Sequence, residues 1–331
     1  MSEQALTRPR RKRRSRRRTF VIMLVALGLV VGGCTAALFG LQARYDRNIE
    51  RLEDPFAGLE GRPDPGPEGT LNYLLLGADS AEAGGGASRT DSIMLVHLPA
   101  DRDGAYVMSI PRDSWVEIPG RGMAKINAAY AFGGAPLLIQ TMESLTGVRI
   151  DHLAVLDFDG FVEMTDALGG VEVNVGEATG SLQAGRQRMD GETALEYVRE
   201  RKELAGGDLD RVKRQQNWVR SVMSEALSSG TLTSPMKLDS FMTAATSSLA
   251  VDETFTMGEM RSVALSLRDI RSGDVTFFTV PVAGLGRSSD GQSIVELDEA
   301  ATNDLWEAVR SDDVGAWVEQ NRDLVLGQTV S

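Results

Sequence analysis

The side chains of this sequence that can do chemistry are carboxylates and arginines, not soft metal ligands or a nucleophile with its base. Asp79 lies just past the apolar run Leu74-Leu75-Leu76-Gly77, and Asp91 just before Ser92-Ile93-Met94-Leu95, with a glycine-rich loop (Gly84, Gly85, Gly86) between them. If the two runs are neighbouring strands, that loop returns both carboxylates to one end of the sheet. Two hard oxygen ligands there suit Mg²⁺, with Mn²⁺ as the alternative. The glycines do not form a phosphate-binding loop, because no Gly-Lys-Ser/Thr follows them. Arg89 stands two residues before Asp91, and Arg112 follows Ile110-Pro111 at the end of a third apolar run. Lys125 and Asn127 sit where the next helix is expected to open, and a positive helix end beside a lysine favours an anion. Arg199 and Arg201 share a face only if their helix ends near Val198 and the chain runs extended beyond it. Asp208 precedes a helix in which Arg211 and Gln215 lie one turn apart. Each of these residues alone is also what a solvated loop or helix tip contains. Together, five arginines, a lysine and two carboxylates point to a phosphate or pyrophosphate held with a metal.

The elements that must carry them follow from periodicity. Leu71–Leu76, Ser92–Leu98 and Ala105–Ile110 read as strands, the last two joined by the turn Asp101-Arg102-Asp103-Gly104. Their continuous apolar runs predict a sheet covered on both faces. Helices are expected at 134–146, 158–168, 191–198, 209–228, 235–248, 256–269 and 299–310, with further strands at 152–156, 171–175, 275–281 and 292–297. The fold class is α/β, a three-layer helix–sheet–helix sandwich with a mixed central sheet. His97, within an apolar strand, and His152, at a strand start, read as structural.

The chain has 331 residues, 47 acidic and 35 basic, with two His and one Cys. That excludes an intrachain disulfide framework and a Cys-rich zinc module. Residues 1–18 hold nine of the basic residues and one Glu, so the remainder carries 26 basic against 46 acidic side chains, a net charge of minus 20. Thr19–Leu41 is an uncharged, mainly apolar run of 23 residues, long enough as a helix to cross a hydrocarbon core. Val31-Gly32-Gly33-Cys34 resembles a lipoprotein cleavage box, but the apolar run continues past Cys34, which favours an uncleaved anchor. The basic run places residues 1–18 in the cytoplasm and residues 42–331 outside the cell membrane. Residues 42–70, rich in Pro and Gly, read as a linker, 71–310 as one catalytic domain and 311–331 as a polar tail.

Seven ordered stretches resemble the LytR-CpsA-Psr family. They are Leu74-Leu75-Leu76-Gly77-Ala78-Asp79; Arg89-Thr90-Asp91-Ser92-Ile93; Ser109-Ile110-Pro111-Arg112-Asp113; Lys125-Ile126-Asn127; Asp166-Ala167-Leu168-Gly169-Gly170-Val171; Ala194-Leu195-Glu196-Tyr197-Val198-Arg199-Glu200-Arg201; and Asp208-Leu209-Asp210-Arg211-Val212-Lys213-Arg214-Gln215-Gln216. The resemblance implies a membrane-anchored phosphotransferase that moves an anionic glycopolymer, such as teichoic acid, from a polyprenyl-pyrophosphate carrier to a peptidoglycan hydroxyl. It associates Asp79 and Asp91 with Mg²⁺, and Arg89, Arg112, Arg199, Arg201 and Gln215 with the pyrophosphate. Lys125 and Asn127 match a family motif, and Arg211 joins the anion-binding set through its spacing. Asp91, Arg89 and Arg112 are the expected catalytic residues. Met189 stands where the family usually has Leu, and the 81–88 loop is idiosyncratic. A long isoprenoid also needs an apolar wall, for which Ile126, Phe132, Leu138, Ile139 and Met142 are candidates, with core packing the competing role.

Three other readings remain at this level. One is hydrolysis of a lipid pyrophosphate at the same site, and another is a carrier that binds polyprenyl phosphate without turnover. The third, a membrane-bound transcriptional regulator, conflicts with the topology and with a net charge that repels nucleic acid.

Overall fold

The computed structural model describes residues 40, 42–78, 90–201 and 203–330. The predicted anchor, apart from Gly40, and two of the expected site residues, Asp79 and Arg89, lie outside this set. Among the described residues no helix is long and apolar enough to cross a membrane. The chain divides into Met1–Arg47, of which a helical segment over 42–47 is described, and a compact unit Asn48–Ser331.

Among its described residues the compact unit has thirteen strands: β1 (Glu50–Leu52), β2 (Leu71–Ala78), β3 (Thr90–Leu98), β4 (Ala105–Ile110), β5 (Trp115–Ile118), β6 (Gly122–Lys125), β7 (His152–Leu156), β8 (Val171–Val175), β9 (Gly185–Met189), β10 (Leu249–Asp252), β11 (Val275–Thr279), β12 (Val282–Arg287) and β13 (Ser293–Leu297). Seven form the central sheet in the order β1-β10-β7-β2-β3-β4-β11, and the others pair as three ribbons. The sheet is mixed: β2 runs parallel to β7 and antiparallel to β3, while β4 is antiparallel to β3 and parallel to β11. The β2–β7 crossover carries the Asn127–Thr146 helix, as a parallel pair requires.

Strand alternation sorts the apolar side chains onto two faces. Leu74, Leu76, Ile93, Leu95, Met108 and Ile110 meet the Asn127–Thr146, Glu299–Arg310 and Val314–Gln320 helices. Tyr73, Met94, Val107 and Phe277 face the Asp208–Ala226 and Met257–Ser266 helices. A second core joins the Phe158–Ala167 and Gly191–Arg199 helices, the β8–β9 ribbon, and Trp218 and Val222. The expected helix–sheet–helix layering is therefore present.

Both predicted ends of the domain need correction. The 42–70 segment is not a free linker: β1 pairs in parallel with β10, and Phe56 and Leu59 pack on the core. Arg62 also donates to Glu143 from Nε and Nη2, the closest contact being 2.7 Å. Pro and Gly forbid regular helix and strand, but they do not forbid burial. The 311–331 tail also folds back, with Trp317 in the core, Val325 bridged to Phe278 and Val330 bridged to Val175. The helix expected from residue 134 begins at Asn127 and is broken at Gly133 and Gly134, where the latter adopts φ +64°.

Candidate active site

The register of β3 against β4 pairs Ile93 with Ile110, and Arg112, two residues past the end of β4, meets Asp91, two residues before Ile93. Asp91 is additionally the extra residue of a β-bulge, since Gly77 pairs with Ser92 but Ala78 pairs with Thr90. Such a bulge re-aims a side chain at a strand end. The result is a direct ion pair between Asp91 Oδ1 and Arg112 Nη1. The turn holding Arg112 is fixed from behind, where Asn127 N donates to Arg112 O (3.2 Å) and Ile126 N to Ser114 O (2.8 Å).

A helix delivers the second half of the site. Gly207 takes φ +57°, and the Asp208–Ala226 helix follows with Asp208 and Arg211 three residues apart on one face. Arg211 Nη2 lies 2.8 Å from Asp208 Oδ1, and its Nη1 lies 4.0 Å from Asp91 Oδ1. Arg112 Nε lies 3.5 Å from Asp208 Oδ1. Two guanidiniums thus alternate with two carboxylates. Arg211 is only 5% exposed, and this burial pulls its pKa down. Asp208 and Asp91 oppose the shift, while Arg112 and Arg201 reinforce it, which places Arg201 within electrostatic reach.

The pairing does not exhaust these groups. Arg112 Nε, Arg211 Nε and both Asp208 carboxylate oxygens are buried without a hydrogen bond among the described residues. Buried polar atoms are otherwise nearly always paired. The unfilled N–H donors suit the oxygens of a phosphate. The carboxylates are hard oxygen donors, and Asp91 Oδ2 carries no described hydrogen bond, so the donor chemistry fits Mg²⁺. No group of three or more His, Cys, Asp or Glu that could hold a metal occurs among the described residues.

Among the described residues the structure brings together Asp91, Arg112 and Arg211, with Arg201 nearby, while Asp79 and Arg89 lie outside the described residues. Lys125 does not open a helix; it ends β6 and is paired with Asp113 at 3.0 Å. Arg199 is the exposed last residue of its helix and lines a depression with Glu192, Thr193, Leu195 and Glu196. That helix ends close to the expected place, and Glu200 beyond it is extended. Gln215 is half-buried with no described hydrogen bond, whereas its neighbour Gln216 is buried and donates to Thr279 Oγ1 at 3.3 Å. Sequence reasoning placed Asp208 only as a helix start and missed it as counter-charge to both arginines, although the Asp-x-x-Arg spacing signals a helical ion pair. Both histidines are structural: His97 bridges Asn72 and Asp312, and His152 meets Asp252. Of the proposed apolar wall, Ile126, Leu138, Ile139 and Met142 are buried in the core, while Phe132 is 49% exposed.

At the ends of β3 and β4 and the start of the Asp208–Ala226 helix, two carboxylates and two arginines alternate in an α/β fold. Residues 50–311 match the LytR_cpsA_psr family, and the chain belongs to that family. It is 34% identical over 281 residues to the cell wall biosynthesis protein LcpA of Corynebacterium glutamicum, covering 70% of this chain and 54% of LcpA. The chain therefore spans about half the length of that relative. It is also 34% identical over 251 residues to the polyisoprenyl-teichoic acid–peptidoglycan teichoic acid transferase TagU of Oceanobacillus iheyensis, covering 69% of this chain and 76% of TagU. The crystal structure of Bacillus subtilis TagV has the same fold, with a TM-score of 0.64 at 23% identity over 75% of this chain and 98% of TagV.

Proposed function

We propose that this chain is a phosphotransferase of cell-wall assembly, moving an anionic glycopolymer from a polyprenyl-pyrophosphate carrier to a hydroxyl of peptidoglycan. The observation that carries this reading is the Asp91–Arg112–Asp208–Arg211 cluster with its unfilled N–H donors. Membership of the family and the likeness to TagU support it. In the reaction the acceptor hydroxyl releases its proton to solvent while its oxygen forms a bond to the sugar-linked phosphorus, the bridging phosphoanhydride P–O bond breaks, and polyprenyl phosphate leaves with the electron pair. Negative charge grows on the nonbridging and leaving oxygens. Arg112 and Arg211, already fixed and largely desolvated, offset that charge without reorganising. Asp208 holds the two guanidiniums in place, and Arg201 and Arg199 extend the positive field toward the exposed side. Asp91 and Asp79 would hold Mg²⁺, which would supply Lewis-acid charge on the pyrophosphate. Residues 19–41 anchor the chain in the cytoplasmic membrane with the catalytic unit outside, which keeps it beside its lipid substrate.

The test is transfer of a labelled glycan from a polyprenyl-pyrophosphate donor to a peptidoglycan oligomer by the full chain, with and without Mg²⁺. Wild type yields metal-dependent product, while Arg112→Lys and Asp91→Asn, both folded, lose it. Equal product from all three, or product insensitive to chelation, would refute the reading. Glycan phosphate released without transfer would assign the site to hydrolysis.

A further inference from the structure

The outward face of the β5–β6 ribbon is not used by the chemistry above, yet it begins at the site. Pairing sets Trp115 against Lys125 and Glu117 against Met123. Val116 and Ile118 are buried in the core, so alternation turns Trp115, Glu117, Met123 and Lys125 outward. Met123 is 53% exposed, and the Arg121 guanidinium lies 5.7 Å above the half-exposed Phe132 ring. The ribbon's inner end is tied to the cluster by the Lys125–Asp113 pair, Asp113 being the residue after Arg112. From there the face runs outward for about 13 Å, the length of four strand residues.

We propose that this face, with Phe132, is the subsite on which a neutral amino-sugar chain lies while its hydroxyl is presented to the arginine cluster; the assignment rests on the phosphotransferase reading. A pyranose offers an apolar C–H face and a rim of hydroxyl and amide groups. Trp115 and Phe132 match the first, and Glu117 and Arg121 match the second. The face has no net charge, because Glu117 offsets Arg121 and Lys125 is neutralised by Asp113. It therefore lacks the positive excess that would draw the anionic glycopolymer or an anionic bilayer, and an uncharged saccharide is the partner that its chemistry selects.

Of the four tryptophans, Trp218, Trp306 and Trp317 are buried, so Trp115 reports selectively on this face. The full chain in detergent is titrated with the N-acetylglucosamine tetramer, without donor. The expected result is a saturable change in tryptophan emission that disappears in Trp115→Phe. Phe132→Ala weakens binding about tenfold, on the scale of one lost aromatic contact. In the transfer assay the same variant raises the acceptor KM by a similar factor and leaves kcat and the donor KM unchanged. No saturable change in wild type, or an unaltered affinity in Phe132→Ala, overturns the proposal. So does an emission change with phosphatidylglycerol vesicles and none with the tetramer, which would make this face a bilayer contact. Tetramer binding without any transfer would end the phosphotransferase reading and leave the saccharide subsite standing. Transfer with an unchanged acceptor KM in Phe132→Ala would end the subsite alone.

Discussion

Asp208→Asn separates the role of counter-charge from that of shape. Arg211 is 5% exposed, and Asp208, 2.8 Å from Nη2, is its nearest negative group; Asp91 stands 4.0 Å away and is also held by Arg112. Deleting one partner of a buried ion pair costs about 3–5 kcal/mol, because the other charge remains buried. The Asp208 side chain is 16% exposed and Asn keeps one acceptor oxygen, which reduces the expected loss to about 2 kcal/mol. For a unit as large as residues 48–331, this lowers Tm by about 3–4 °C. The substitution also leaves two guanidiniums facing one carboxylate, so the site gains positive charge and affinity for pyrophosphate. Thermal unfolding followed by near-ultraviolet circular dichroism, with and without inorganic pyrophosphate and in the absence of divalent metal, reads both effects. The variant melts lower than wild type and is stabilised more by pyrophosphate, since a ligand that binds only the folded state raises stability with its affinity. An unchanged Tm, or a smaller pyrophosphate stabilisation in the variant, would refute the reasoning that Asp208 offsets the charge of Arg211.

Other consequences follow from particular contacts. Arg211→Met removes a fixed donor from the cluster and lowers kcat about 10²–10³-fold in the transfer assay, with a far-ultraviolet spectrum like that of wild type. Arg62→Ala leaves Glu143, 4% exposed, with only the Ile150 N–H as a described partner. The loss is about 3 kcal/mol in urea denaturation, with faster proteolysis near Pro63–Pro67. Burial holds the His97 imidazole below its ordinary pKa, with the Asp312 carboxylate opposing the shift. The unfolded chain therefore takes up the proton first, and stability falls as pH drops below about 6.5. His97→Asn makes that fall shallower in denaturation profiles between about pH 5 and 7, and an identical profile would remove His97 as its source.

The central strands were legible because their apolar runs are local: Ala105–Ile110 and His152–Leu156 fall where the sequence puts them. Most helix positions were legible for the same reason, down to the end of the Gly191–Arg199 helix within one residue of Val198, although the Asn127–Thr146 helix starts earlier than its apolar period. Asp91, Arg112 and Arg211 were legible as charged residues at strand and helix ends. Asp91 and Arg112, 21 residues apart, meet only because the β3–β4 pairing brings those strand ends together. Strands β1 and β10 are too short to show a period and exist through pairing, β1 with β10 and β10 with β7. Lys125 shows the opposite error, since a positive residue before a helix reads as an anion ligand until Asp113 takes its charge. Sequence by itself determined the charged residues at the element ends, most of the central strand and helix segments and the family, because each is written in neighbouring residues. Tertiary structure alone decided which charges neutralise one another, which donors are left unfilled, and that the Pro-rich segment and the C-terminal residues belong to the folded unit. Those outcomes depend on distances between residues far apart in the chain, and no local pattern encodes them.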